Sequence, residues 1–176
     1  MLEALITSKT RLKLLLKFFL NSDTTAYLRS LEPEFGESTN AIRQELNRFE
    51  EAGLLSADKK GNKKLYHANT RHPLFPEIHN LLIKYVGIDQ VMDKVVKKLG
   101  NLEKVYLVGE LAKGKDSPIM DLWFVGDVDK NYLLELVDKA EEVLQRKLRY
   151  IIVNDKELQH FLKTKDKNEL LLLWEK

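Results

Sequence analysis

The stretch VYLVGELAKG, residues 105–114, is followed two residues later by SPIMDL, residues 117–122. An apolar run suited to a β-strand enters Gly109, a short helix follows, and a second apolar run opens around Asp121. Strands and helices that alternate in this way predict a small α/β domain built on a sheet. A glycine turn after one strand and an acid on the next also have the outline of a site that handles phosphate groups.

The sequence on both sides of this stretch continues the alternation. Residues 78–85 and 88–99 carry apolar side chains at helical spacing and are separated by Gly87. After the second strand we expect a helix at 131–147, a third strand at 148–154 and a closing helical region at 155–174. Residues 88–176 therefore predict one small α/β domain.

The first half has a different pattern. We expect helices at 8–20, 24–31 and 38–53, with the second helix stopping before Pro33. Ser8 and either Ser38 or Thr39 are suited to cap the first and third helices, and Gly53 to end the third in a left-handed turn. Residues 54–69 then predict two strands around a turn at Gly61-Asn62.

Two groups of side chains in this half can donate to phosphates or pair with base edges. The first lies at the start and on the outer face of the third helix: Ser38, Thr39, Asn40, Arg43, Gln44, Asn47 and Arg48. The second flanks the hairpin turn: Lys59, Lys60, Lys63 and Lys64. Lysines that neutralise phosphates release counterions, so binding through this tip would weaken steeply with salt.

Three helices followed by a hairpin with a basic tip is the order of a winged helix-turn-helix. The string IRQELNRFEEAGLLSADKKGNKKLYHAN, residues 42–69, resembles the recognition helix and wing of bacterial ArsR/MarR-like regulators, with Phe49 where those families usually have leucine. The resemblance covers about residues 5–87 and implies DNA binding by the third helix and the wing. Winged helices also serve as protein-interaction modules, which leaves that alternative open.

The second half resembles the minimal nucleotidyltransferase fold, whose motif is G-S-x-A-R-G followed by S-D-I-D-L. Gly109 matches the glycine, Ala112-Lys113-Gly114 matches A-R-G, and Asp121 matches the second aspartate. The family's serine is replaced by Glu110 and its first aspartate by Ile119. The resemblance implies two Mg²⁺ ions held by both aspartates and by a third carboxylate from a later strand. Ile119 supplies no ligand, and the expected third strand at 148–154 contains no acid. Glu110 would place negative charge where the triphosphate binds. Residues 109, 110, 113 and 121 are therefore expected to be remnants of a nucleotide site, without catalytic residues or a metal.

Composition limits the class of protein. The 176 residues are 44% hydrophobic and 32% charged, with a net charge of +2, as in a folded chain with a core. The sequence has no cysteine, and its apolar runs fall short of the roughly 20 residues of a membrane helix. We therefore expect a cytoplasmic protein that needs no cofactor and does not contact a membrane.

Taken together, the patterns predict an α+β chain: a winged-helix DNA-binding domain at 1–70, a connecting helix at 71–87 and a nucleotidyltransferase-like α/β domain at 88–176. The predicted function is sequence-specific transcriptional regulation, with the second domain, not an enzyme, sensing a ligand or mediating dimerisation. The predicted partners are double-stranded DNA, a second copy of the chain and a small-molecule ligand. The alternative is an active nucleotidyltransferase that carries a winged-helix docking module.

Overall fold

The computed structural model describes residues 2–99, 101–164 and 169–176. The chain is α+β, as the sequence predicts, and divides into two compact units, Met1–Tyr85 and Val86–Lys176. Across the described residues, helices are too short or too polar to cross a bilayer.

The first unit contains five helices and a small sheet. The helices are α1 (Leu2–Leu5), α2 (Lys9–Leu15, continued by a π-helical turn at Leu16–Leu20), α3 (Leu28–Phe35), α4 (Thr39–Glu51) and α5 (Phe75–Val86, whose last residue belongs to the second unit). The predicted caps are confirmed where the structure records them. The hydroxyl oxygens of Ser8 and Ser38 accept hydrogen bonds from backbone N–H groups in the first turns of α2 and α4. Gly53, just after α4, has a φ of +71°.

Three antiparallel strands form the sheet of this unit in the order β1 (Thr25–Tyr27), β3 (Lys63–Ala68), β2 (Leu55–Lys60). The hairpin is as predicted, but Thr25–Tyr27 was expected to begin a helix. That prediction was wrong because these residues pair with β3, a contact far away in sequence. Helix α3 then includes Pro33 instead of stopping before it, and ends at Gly36 in the left-handed conformation.

Buried ion pairs connect the helices of the first unit. Glu45 on α4 accepts hydrogen bonds from Arg11 at 2.9 and 3.2 Å, and from Ser8 and Arg48. Burial opposes the charged form of Glu45, but the hydrogen bonds and charges of these partners outweigh it and lower its pKa. Lys17 and Glu34 form a second pair at 2.8 Å. Basic and acidic side chains are thus paired inside this unit.

The second unit follows the predicted alternation with one exception. Its elements are α6 (Ile88–Lys94), β4 (Leu102–Val108), α7 (Gly109–Ala112), β5 (Ile119–Gly126), α8 (Lys130–Leu144), β6 (Lys147–Val153), α9 (Asp155–Thr164) and β7 (Leu170–Glu175). The exception is β7, where a helical region was expected. Its apolar residues pair with β4, and residues 165–168 of that expected region lie outside the described part of the chain.

The sheet of the second unit has the strand order β6-β5-β4-β7. Strands β5 and β6 are parallel, while β4 is antiparallel to both β5 and β7. One sheet face contributes Trp123 and Val125 to a cluster with Val108, Val153 and Leu158 of α9. Trp123 is therefore a core residue, as expected. Because side chains alternate along a strand, Asp121 and Ile119 lie on this same face, beyond the cluster.

Candidate functional site

Gly109 and Asp121 meet at the end of β4. Gly109 has a φ of +74°, a conformation that favours glycine, and turns the chain from β4 into α7. A Cβ atom added to Gly109 would lie only 2.8 Å from an oxygen of Asp121. Asp121 itself is opposite Val108 in the register of β4 and β5. The glycine and the acid of the sequence motif are thus brought into direct contact.

Asp121 is held by Arg149, a residue that the sequence motif did not single out. Arg149 is the register partner of Asp121 on β6, and its Nε and Nη2 donate to the two carboxylate oxygens at 2.6 and 2.9 Å. The hydrogen bonds and the charge of Asp121 raise the pKa of Arg149 above its usual value. The neighbouring strand therefore supplies a cation where the family resemblance implies a third carboxylate.

The residues that follow Gly109 are also paired. Glu110 contacts Lys115 at 3.0 Å. Lys113 contacts Glu169, which comes just before β7, at 2.8 Å. With Arg149–Asp121, three carboxylates in this part of the unit are therefore each paired with a cation.

We define the corner site as Gly109, Glu110, Lys113, Lys115, Asp121 and Arg149. Its residues do not fit a pair of protein-bound Mg²⁺ ions. Magnesium takes oxygen ligands, and the motif's first aspartate is Ile119, while the residue opposite Asp121 on β6 is the cation Arg149. Within the described ranges, no three His, Cys, Asp or Glu side chains are grouped so that they could hold a metal ion. Any chemistry at the corner site must therefore depend on its own charged side chains.

The side chains predicted to face DNA occupy the outer surface of the first unit. Asn40, Arg43, Gln44 and Asn47 are exposed on α4. Ser38 caps the helix, and Thr39 donates to Glu32. Arg48 is also exposed but contacts Glu45 at 3.2 Å. The helix thus carries two exposed cations, Arg43 and the paired Arg48, together with neutral polar groups.

The four hairpin lysines lie together, as predicted, in an arrangement that is electrostatically unfavourable. Lys59 is directly opposite Lys64, and Lys60 directly opposite Lys63. Like charges facing each other across a ladder destabilise it. Glu50 offsets this repulsion at Lys64. Its carboxylate oxygens accept hydrogen bonds from Lys64 at 2.8 and 2.9 Å and raise the pKa of Lys64. We call these four residues the lysine tip.

No protein-family model and no curated protein matches the chain. Solved structures align with part of it. A tri-AMPylated HEPN toxin of Shewanella oneidensis in complex with the MNT antitoxin aligns with a TM-score of 0.36 and 16% identity, covering 50% of this chain and 69% of that chain.

Two further structures give a similar result. The toxin–antitoxin MntA–HpeT, in a mutant form, aligns with a TM-score of 0.40 and 16% identity over 51% of this chain and 73% of that one. A Sulfolobus solfataricus protein provisionally assigned as a nucleotidyltransferase gives 0.32 and 22% over 51% and 78%. All three alignments cover about half of this chain, with TM-scores of 0.40 or below.

These findings correct several predictions. The predicted ArsR/MarR-like regulator, with its DNA-binding function in transcription, is wrong, because the structural neighbours are nucleotidyltransferase-like toxin–antitoxin proteins. Some basic side chains of the first unit also form ion pairs with acids of the same unit, as in Arg11–Glu45 and Lys64–Glu50. The predicted partners, double-stranded DNA and a second copy of the chain, are contradicted by the same neighbours, which are assemblies of two different proteins.

The prediction that the chain is not an enzyme is contradicted as well. It assumed that the loss of metal ligands leaves the corner site without catalytic groups. The structure instead pairs Asp121 with the guanidinium of Arg149, a charged group that was not considered. Sequence reasoning missed Arg149 because the motif ends on β5, before the strand that carries Arg149. Its signal would have been the strand register, which the sequence does not contain.

Proposed function

We propose that the chain is an active nucleotidyltransferase with a docking module. Residues 88–176 would form the transfer domain and residues 71–87 a connecting helix. Residues 1–70 would form a winged-helix module that docks the acceptor. The proposal includes the cytoplasm as the location, since the chain has no cysteine. The observation that carries the proposal is the contact of Gly109 with Asp121, bounded by the cation of Arg149.

In the proposed reaction, a hydroxyl oxygen of the acceptor attacks the α-phosphorus of a nucleoside triphosphate. The bond between that phosphorus and the bridging oxygen breaks, and pyrophosphate leaves with its electron pair. The proton of the hydroxyl goes to the Asp121 carboxylate. Negative charge that develops on the phosphate oxygens is offset by Arg149, Lys113 and Lys115, because fixed cations need no rearrangement as the charge forms.

The docking role is supported by the lysine tip. Two facing lysine pairs cost stability in the isolated hairpin, and an acidic partner would remove that cost. Lys59, Lys60 and Lys63 are exposed and extend beyond the Lys64–Glu50 contact. The arrangement of α2, α3, α4 and the β2–β3 hairpin supports the winged-helix assignment of this unit. We propose an acidic protein surface as its partner.

Nucleotidyl transfer can be tested with ATP labelled on its α-phosphate. The purified chain is incubated with Mg²⁺, ATP and a bacterial lysate as the source of acceptors. We expect label on a macromolecule, reduced about 100-fold by Asp121→Ala, since a positioned proton acceptor contributes on this scale. Asp93→Ala, which removes an exposed carboxylate paired with Lys97, is the matched control and should leave transfer unchanged. Absence of label, or transfer that persists in Asp121→Ala, would falsify the assignment.

Docking through the lysine tip can be tested with a polyglutamate peptide as an acidic probe. Lys60→Glu/Lys63→Glu should weaken its binding at least tenfold and flatten the dependence of binding on salt, because the exposed charges of the tip are reversed. The control is Lys84→Glu, on the exposed side of α5 in the same unit. Equal affinity of the tip variant and the control would exclude the tip as the docking surface. Tighter binding of duplex DNA than of polyglutamate would exclude the acidic protein partner.

A further inference from the structure

We propose that Arg149 binds the phosphates of the nucleotide directly, and that this binding needs no metal ion. The inference deepens the proposed function and rests on it. Its starting point is the disagreement at the corner site between the metal pair implied by the family resemblance and the side chains present. At the position on β6 opposite Asp121, where a carboxylate would help to hold a metal, the chain has a guanidinium.

The guanidinium of Arg149 has donors to spare. An arginine side chain carries five N–H donors, and the two hydrogen bonds to Asp121 use one on Nε and one on Nη2. The remaining donors are both N–H groups of Nη1 and one of Nη2. Arg149 can therefore hold a phosphate oxygen while it stays bound to Asp121. A planar guanidinium also suits two phosphate oxygens at once, which an ammonium group does not.

Access to solvent differs between the two partners. The side chain of Arg149 is 66% exposed, whereas that of Asp121 is 23% exposed. Arg149 therefore presents its free edge outward, and Asp121, besides its proposed role as proton acceptor, fixes the plane of the guanidinium through two hydrogen bonds. This is the arrangement of a preorganised anion site, in which the cation does not have to be ordered when the ligand arrives.

The charges of the neighbouring side chains fit the same ligand. Lys113 and Lys115 are each paired with one glutamate and are both about one-third exposed. Exposed pairs of this kind are weak, so a ligand with several negative charges can compete for their cations. Strands are about 4.8 Å apart, which places the ends of β6, β5, β4 and β7 within about 15 Å of one another. A triphosphate, with several negative charges along an extended chain, suits a site with several cations better than a single phosphate does.

The decisive experiment measures binding of ATP, and separately of inorganic tripolyphosphate, to the full chain by calorimetry with either Mg²⁺ or EDTA. We expect both ligands to bind in EDTA with affinity within about threefold of that in Mg²⁺. Arg149→Ala should weaken binding in EDTA at least tenfold. Arg149→Lys should recover only part of it, because it restores the charge without the paired donors. Lys104→Ala is the matched control, since it removes another cation of the same sheet. Lys104 is paired with Glu175 at the other end of β4.

Each outcome is informative. Binding that requires Mg²⁺ and is unaffected by Arg149→Ala overturns this inference while the proposed transferase function stands. No binding of either ligand overturns the inference, and the labelled-ATP assay then decides the proposed function separately. Asp121→Asn gives a further check on the positioning role. If Asp121 orients Arg149, then in the Asp121→Asn background the chains with Arg149 and with Arg149→Lys should bind the ligands in EDTA with equal affinity, at an unchanged thermal unfolding midpoint. A difference in affinity that remains in this background contradicts the positioning role.

Discussion

Replacing both Ile119 and Arg149 by aspartate should give the corner site a divalent-cation site that the native chain does not offer. The two changes place carboxylates beside Asp121, one two residues away on the same face of β5 and one across the ladder on β6. Hard cations bind more tightly as the number of charged oxygen ligands rises, so the affinity for Mn²⁺ should increase at least about tenfold. At a Mn²⁺ concentration 100 times the dissociation constant, the free energy of unfolding should rise by about 2.7 kcal/mol.

The matched control for this design is Ile119→Asn/Arg149→Asn, which has nearly the same shape and lacks the new charges. Titration with Mn²⁺, followed by the signal of the free ion in electron paramagnetic resonance, compares the two variants with the native chain. Equal Mn²⁺ affinity in the aspartate and asparagine variants would contradict the geometry on which the prediction depends. Success would show that two side chains account for the difference between this corner site and one that holds metal ions.

The sequence predicts this corner only in part, and the strand register explains why. The glycine after β4, the short helix and the acid on β5 are close in sequence, so their order is visible in the motif. Arg149 is separated from Asp121 by the whole of α8. Its position opposite Asp121 depends on where β6 begins after that helix, and a shift of one residue would turn its side chain to the other face.

The errors in secondary structure have a related cause. The run LLLLW before the C-terminus has no alternation, and short apolar runs of this kind fit a buried helix or a strand equally well. Its pairing with β4 decides the outcome. Thr25–Tyr27 is a strand for the same reason, since it pairs with β3 some forty residues later. Helices such as α4 and α8 were predicted well because their apolar spacing and caps are local signals.

The functional errors arose from judging residues one at a time. Ile119 and Glu110 differ from the family motif, and each change taken alone argues against a metal site. The prediction of an inactive domain was based on these positions alone. It did not take into account the cations that pair with Glu110 and Asp121. In the structure, Glu110 is balanced by Lys115 and Asp121 by Arg149, so the corner is electrically balanced by side chains instead of ions.

Lys17→Met should destabilise the first unit by about 3–5 kcal/mol, because it leaves the carboxylate of Glu34 without its partner in a poorly solvated position. The side chains of Lys17 and Glu34 are only 9% and 15% exposed, and their charged atoms are 2.8 Å apart. Urea unfolding at neutral pH measures the change. The exposed Lys97–Asp93 pair, with side chains 70% and 60% exposed, provides the control, and Lys97→Met should cost about 0.5 kcal/mol or less.

A second change distinguishes loss of an ion pair from loss of packing. Lys17→Met/Glu34→Leu removes both charges and keeps apolar volume, so it should recover most of the stability lost in Lys17→Met, since apolar replacements of buried ion pairs are often neutral or stabilising. If the double variant is as unstable as the single one, the effect comes from packing of the Lys17 stem against its helix and the ion-pair explanation is wrong. Recovery would mean that Lys17→Met is destabilising because it leaves Glu34 unpaired, and that an apolar pair could hold α2 and α3 together equally well.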